Sequence, residues 1–437
     1  MNIYFQTMGC PKNFNDSEMA EGILEKAGHS IVYNPVDSDV IIVNTCGFIN
    51  DAKTESIEKI FELAEYKEIG DKNRLLVVSG CLSKRYSEAL FEEMPEVDIF
   101  LGVNEYDKLP EILEAHRDRE IQVNECPKEF LEIKERKLAD NPYTATLRIA
   151  EGCDNVCAYC VIPHIRGHYR SRKEEDILQE AEWLAKKGCK EIILIAQDVT
   201  AYGIDLYGEF RLAKLVRKLC KVDGIKWIRL MYCYEDRITD ELIQVMSEEE
   251  KVCNYLDIPI QHSSDKVLKL MNRRSTSSGI VNTIERLRNA MPDINIRTTL
   301  ITGFPGETKA EFDELYDFVA DMKFERLGVF AYSKEEGTPG AEMRQVRSDV
   351  KERRKDAIMR LQVEISLESN QKKVGQIFDV LVEEQDEEGA YIGRTQYDAP
   401  EIDNSVIFNS DRDLKAGEFV RVQITDAFDY DLVGVEV

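Results

Sequence analysis

Short apolar runs of strand length alternate with amphipathic stretches of helical period along most of this 437-residue chain, and that alternation commits it to layered α/β structure with parallel sheets. The N-terminal third reads as strands Asn2 to Thr7, Val40 to Asn44 and Leu75 to Ser79, with helices Asp16 to Ala27 and Thr54 to Lys67 between them. A second series follows: Thr144 to Ala150, Glu191 to Ala196, Trp227 to Met231, Tyr255 to Pro259, Asn295 to Thr302 and Arg326 to Tyr332. Six such strands predict a partial α/β barrel, covered outside by amphipathic helices such as Glu174 to Lys187 and Gly279 to Asn289. A long charged helix, Asp349 to Lys373, then gives way to short strands divided by turns, which predicts a small antiparallel β-barrel at the end. The expected domains are 1–125, a charged linker 126–142, 143–372 and 373–437. In such folds ligands meet the loops at the carboxyl ends of the strands.

Cysteines fall at those ends. Eleven are present without a secretion signal: Met1 to Cys10 lacks a basic segment followed by an apolar one, and no run nears the roughly 20 apolar residues that span a bilayer. A cytoplasmic protein is expected, where thiols stay reduced and serve metals or chemistry rather than disulfides. Cys153, Cys157 and Cys160 lie within eight residues directly after a strand, so one loop can wrap one metal cluster. A four-iron cube with three thiolate ligands leaves one iron open; zinc, with His164 nearby, is the structural alternative. Cys10, Cys46 and Cys81 each follow a strand of the first sheet, beside Gly9, Gly47 and Gly80. Singly each would be an ordinary buried thiol, but at three equivalent strand ends they read as a second ligand trio. Cys126, Cys189, Cys220, Cys233 and Cys253 fit no motif and read as structural, with Cys233 alone placed to face a barrel cavity.

The spacing C-x3-C-x2-C of Cys153, Cys157 and Cys160 resembles the signature of the radical S-adenosylmethionine (SAM) superfamily. That resemblance implies a 4Fe-4S cluster whose open iron binds SAM and cleaves it to a 5'-deoxyadenosyl radical, with Tyr159 beside the adenine. The upstream trio, the radical domain and the terminal β module together resemble the methylthiotransferases over essentially the whole chain. Cys10, Cys46 and Cys81 match that family's second 4Fe-4S cluster, whose open iron is implied to carry sulfur while a second SAM methylates it. Gln197, Gln261 in Ile258 to His262, and Arg297 match SAM-lining positions at strand ends; read without the family they are surface polar residues. Gly303 to Thr308 resembles the family's turn near the cofactor. His164 and His262 are assigned no catalytic role.

Within the family, Cys10-Pro11-Lys12-Asn13, Asp16-Ser17-Glu18, Gln261-His262 and Ala399-Pro400-Glu401-Ile402-Asp403 resemble the ribosomal-protein branch rather than the tRNA branch; Thr7-Met8-Gly9 and Phe14-Asn15 depart from its pattern. Charge agrees. The net charge is -26, and residues 375–437 carry -12 of it, on a module that resembles TRAM, an RNA-binding domain in the tRNA-modifying relatives. A field of that sign attracts basic proteins and repels phosphates, though on its own it also fits a merely soluble surface. The resemblance implies methylthiolation at the β-carbon of one aspartate in small-subunit ribosomal protein twelve, with a low-potential flavodoxin or ferredoxin as electron donor, no membrane, and tRNA as an unlikely partner. The rivals are a tRNA methylthiotransferase and a non-catalytic iron-sulfur carrier.

Overall fold

The structure, a computed structural model, describes residues 1–69, 73–138 and 142–437. The chain forms two compact units, the first made of Met1–Ala139, Ala150–Arg172 and Ser333–Ala341, the second of Asp140–Ile149, Lys173–Tyr332 and Glu342–Val437.

In the first unit, β1 (Asn2–Thr7), β2 (Ser30–Val32), β3 (Val40–Thr45), β4 (Leu75–Gly80), β5 (Ile99–Leu101) and β6 (Glu120–Gln122) pair in parallel in the order β2-β1-β3-β4-β5-β6. Helices Pro11–Lys26, Asn50–Ala64, Cys81–Glu93 and Leu109–Ala115 connect them. Both faces are buried, which is why the strands read as unbroken apolar runs. Ile41, Val43, Leu76 and Val78 pack on one face, Val40, Ile42 and Val77 on the other. The expected strands β1, β3 and β4 are present; β2, β5 and β6 are three residues each and were not expected. Of the predicted linker, residues 139–141 lie outside the described residues. Its part up to 138 has no helix or strand and is fastened to helix Pro11–Lys26, with the Lys137 N–H donating to the Glu18 carbonyl at 2.8 Å and the Arg136 guanidinium to the Glu18 carboxylate at 2.7 Å.

After β7 (Thr144–Arg148), a strand of the second unit, come β8 (Ala150–Glu151) and β9 (Arg170–Ser171), an antiparallel pair of the first. The second unit continues with β10 (Glu191–Ile195), β11 (Trp227–Leu230), β12 (Val252–Asp257), β13 (Asn295–Thr302) and β14 (Arg326–Ala331). With β7 they form the expected six-stranded parallel sheet, in sequential order. Helix Ser348–Gln371 then leads to β15 (Ile377–Gln385), β16 (Tyr391–Arg394), β17 (Val406–Asn409), β18 (Phe419–Ala427) and β19 (Leu432–Glu436), a closed five-stranded barrel. This is the expected small antiparallel β-barrel, with β17 and β19 alone in parallel, as closure of an odd-stranded barrel demands.

The barrel packs on the sheet of its own unit. Phe419 stands edge-on to Trp227 with ring centroids 4.7 Å apart. Glu191, at the start of β10, accepts from Arg229 Nε and Arg394 Nη2, both at 2.7 Å. Burial alone would push the Glu191 carboxyl up; Arg394 and Arg229 override it and hold it down at about 2. The loop after β16 adds Asp398 to Arg326 and Asp403 to Arg297. Among the described residues no helix is long and apolar enough to cross a membrane.

Candidate functional site

Cys10, Cys46 and Cys81 leave three adjacent strands, β1, β3 and β4, at their carboxyl ends. Cys10 caps the N-terminus of helix Pro11–Lys26, and Cys81 is the first residue of helix Cys81–Glu93. The backbone is drawn in tightly: a Cβ on Gly9, at φ 96°, would stand 2.9 Å from the Cys46 Cβ, and one on Gly47 would meet the Leu82 N at 2.7 Å. Asn13, wholly buried, braces the turn by donating to the Met8 and Thr45 carbonyls at 2.9 and 3.0 Å. Burial pushes the Cys46 thiol up to about 11, and raises that of Cys81 against the pull of Arg166. Three thiols gathered where bare ionisation is costly suit soft metal ligands, since iron supplies the missing positive charge.

The second trio sits in the loop between β8 and β9. The strand pair closes its neck, and the Cys153 N–H donates to the Gly167 carbonyl at 3.0 Å. Gly152, at φ 79°, lets the chain pass: a Cβ there would stand 2.1 Å from the His168 carbonyl oxygen. Donors already point at the sulfurs, with Asn155 Nδ2 at 3.4 Å from Cys153 and the Ile162 N–H at 3.5 Å from Cys160, whose thiol burial pushes up to about 12. Such N–H···S bonds are how proteins tune iron-sulfur clusters, so both trios fit the group by donor type and surroundings.

The two trios share one compact unit. Apolar contact among Cys81, Val103, Val161 and Ile165 joins their supports, and so does Arg166, which the sequence reading missed. Its guanidinium donates to Asp16 at 2.7 Å and Asn13 at 3.0 Å. The segment Ser333–Ala341 joins as well, through the Gly340 N–H on the Ala158 carbonyl at 2.7 Å and Glu335 on both Lys53 and Arg85. Cys126 lies against Gly167, accepting from Asn104 at 3.3 Å.

Tyr159 is half-buried in the cysteine loop, while Gln197, Gln261 and Arg297 belong to the second unit. Gln197 follows the end of β10 by two residues. Gln261 is bridged to Leu300 of β13 in a left-handed conformation, φ 70°, and Tyr232, after β11, has φ 58°. Strain of that kind in non-glycine residues costs about 1–3 kcal/mol and gathers at functional sites; no sequence signal marked Tyr232. Arg297 corrects the expectation of a strand-end residue. It is third in the eight-residue β13 and is engaged by Asp257 at 3.2 Å and by Asp403 of the barrel loop at 3.3 Å. Cys233 is buried, its thiol pushed well up by burial.

The Radical SAM superfamily matches residues 147–319, Uncharacterized protein family UPF0004 residues 2–102, and the TRAM domain residues 374–437. The chain is 51% identical to the Ribosomal protein uS12 methylthiotransferase RimO of Acetivibrio thermocellus, over 98% of this chain and 96% of that one. It is 48% identical to RimO of Clostridioides difficile, over 99% and 98%. The chain belongs to the RimO family of uS12 methylthiotransferases. It is therefore a radical SAM transferase, and the family's 4Fe-4S cluster and SAM are its implied cofactors. Among solved structures, the radical SAM methyltransferase TsrM from Kitasatospora setae aligns at TM-score 0.57 and 13% identity, over 78% of this chain and 73% of that one, a likeness of fold alone.

Proposed function

We propose that this RimO-family enzyme adds a methylthio group to the β-carbon of an aspartate in ribosomal protein uS12 and that it does so with two 4Fe-4S clusters, one on Cys153, Cys157 and Cys160 and one on Cys10, Cys46 and Cys81. The observation that carries the reading is the gathering of both thiol trios, with their N–H···S donors, into one compact unit. When bound, the clusters supply the electron that splits SAM, giving a radical able to take hydrogen from an unactivated carbon, and the sulfur that replaces that hydrogen.

The chain's own residues then have definable work. Gly152 lets the loop that carries the second trio fold back against the His168 carbonyl, and Asn155 and the Ile162 N–H offer donors to its sulfurs. Tyr159 offers a flat face for adenine, and the Gln197 and Gln261 amides offer donors and acceptors for the ribose and amino-acid ends of SAM. Arg297, held by two carboxylates, serves SAM at most through its remaining donors. The terminal barrel, net -12, suits a basic ribosomal protein and repels tRNA. Flavodoxin or ferredoxin is the class of electron donor.

The test is incubation of reconstituted enzyme, reductant and SAM with uS12. A methylthio adduct on the aspartate by mass spectrometry is expected; modification of tRNA alone would overturn the reading.

A further inference from the structure

Arg166 ends the short helix Ile162–Arg166, which starts two residues after Cys160, yet its side chain reaches the other trio. It is 2% exposed. Nη1 donates to Asp16 Oδ2 at 2.7 Å, Nη2 to Asn13 Oδ1 at 3.0 Å and to Cys81 Sγ at 3.5 Å, and Glu151 Oε2 lies 3.6 Å from Nη1. Docking alone does not need this: Val161 and Ile165 already pack on Cys81, Val103 and Phe48, and apolar residues replace buried ion pairs at little cost to stability. A desolvated guanidinium aimed at a ligand sulfur instead has an electronic consequence, because an N–H···S bond stabilises the more negative, reduced state of a cluster.

We propose that Arg166 is a positioning residue for the cluster on Cys10, Cys46 and Cys81, fixing the second cysteine loop against the first trio and raising that cluster's reduction potential through Cys81. Asp16 and Asn13 aim the fork, and Asn13 in turn braces the turn that carries Cys10. The inference rests on the two-cluster reading above.

The experiment uses reconstituted full-length chain carrying Arg166→Met together with Asp16→Asn, so that the carboxylate nearest the lost guanidinium is neutralised with it, beside Arg166→Lys and a Cys10, Cys46 and Cys81 triple alanine variant. Iron per chain, electron paramagnetic resonance of the reduced clusters and potentiometric titration are measured. The Met variant should keep wild-type iron while one cluster moves to lower potential with an altered signal, the other staying put; Lys should recover part of the shift. Wild-type potentials and signals in the Met variant would overturn the proposal, as would iron loss in both Arg166 variants alike, the mark of a merely structural role. If the triple variant loses half the iron while the Met variant is unchanged, only the Arg166 proposal fails; if it loses none, the two-cluster reading fails with it.

Discussion

Gly152 and Glu191 answer different demands, one steric and one electrostatic. At Gly152 an alanine has both a left-handed φ and the His168 carbonyl 2.1 Å from its Cβ against it. Gly152→Ala should therefore open the neck of the cysteine loop and lose about half the iron of reconstituted wild type, read by iron assay, while iron on Cys10, Cys46 and Cys81 remains. Glu191 is held at about 2, below its ordinary 4.5, so between those values the unfolded chain binds more protons than the folded one. Its stabilisation is present above pH 4.5 and is lost as pH falls through about 2, a swing on the order of 3 kcal/mol. In Glu191→Gln the acid limb of a melting-temperature profile should be shallower by that share, on a baseline lowered because Arg229 loses its carboxylate while Arg394 keeps only Glu383. The cysteines were legible because six thiols follow strands and turns whose patterns are local. Arg166 was not, since one arginine after the third cysteine says nothing until its partners, Asp16 and Asn13, come from 150 residues away.

Among the elements, the central sheet was legible almost strand for strand, because each is a buried parallel strand bounded by turns and joined to the next by a helix. The three-residue strands β2, β5 and β6 carry too little pattern to read, and the parallel β17–β19 pair rests on closure, which no local sequence records. The bounds of β13 are legible as they stand, so the strand-end placement of Arg297 came from the family resemblance and not from the strand, in which it is third of eight residues. The hairpin between β18 and β19 depends on one distant side chain: Asn370, buried in helix Ser348–Gln371, donates to the carbonyls of Phe428, Asp429 and Tyr430 at 3.0, 3.4 and 3.2 Å. Asn370→Ala should cost about 1–3 kcal/mol in urea unfolding. Hydrogen exchange at 428–431 should speed up first, while the cysteine loop keeps its protection.

At the scale of the whole molecule, charge predicts how a partner is met. The exposed tips of the barrel carry Glu384, Glu387, Glu388, Asp411, Asp413, Asp426 and Asp429, whereas Asp398 and Asp403 are consumed inside by Arg326 and Arg297. Replacing Glu387 and Glu388 by Lys should lower kcat/KM for uS12 several-fold at low salt, through slower association, and the difference should fade as ionic strength rises and the Debye length shrinks to about 8 Å. An effect independent of salt would place recognition elsewhere. The division into units has a separate consequence, for the order in which the protein is made. The sheet that begins at Asn2 belongs to a unit that takes in Ala150–Arg172 and closes only with Ser333–Ala341. A ribosome adding about 5–20 residues per second therefore leaves the unit that holds Cys10, Cys46 and Cys81 incomplete until more than three quarters of the chain has emerged. Cys81 is covered only once Val161, Ile165 and Arg166 have been made, so the first thiols synthesised wait on segments far downstream and are open meanwhile to oxidation, and equally to whatever delivers iron.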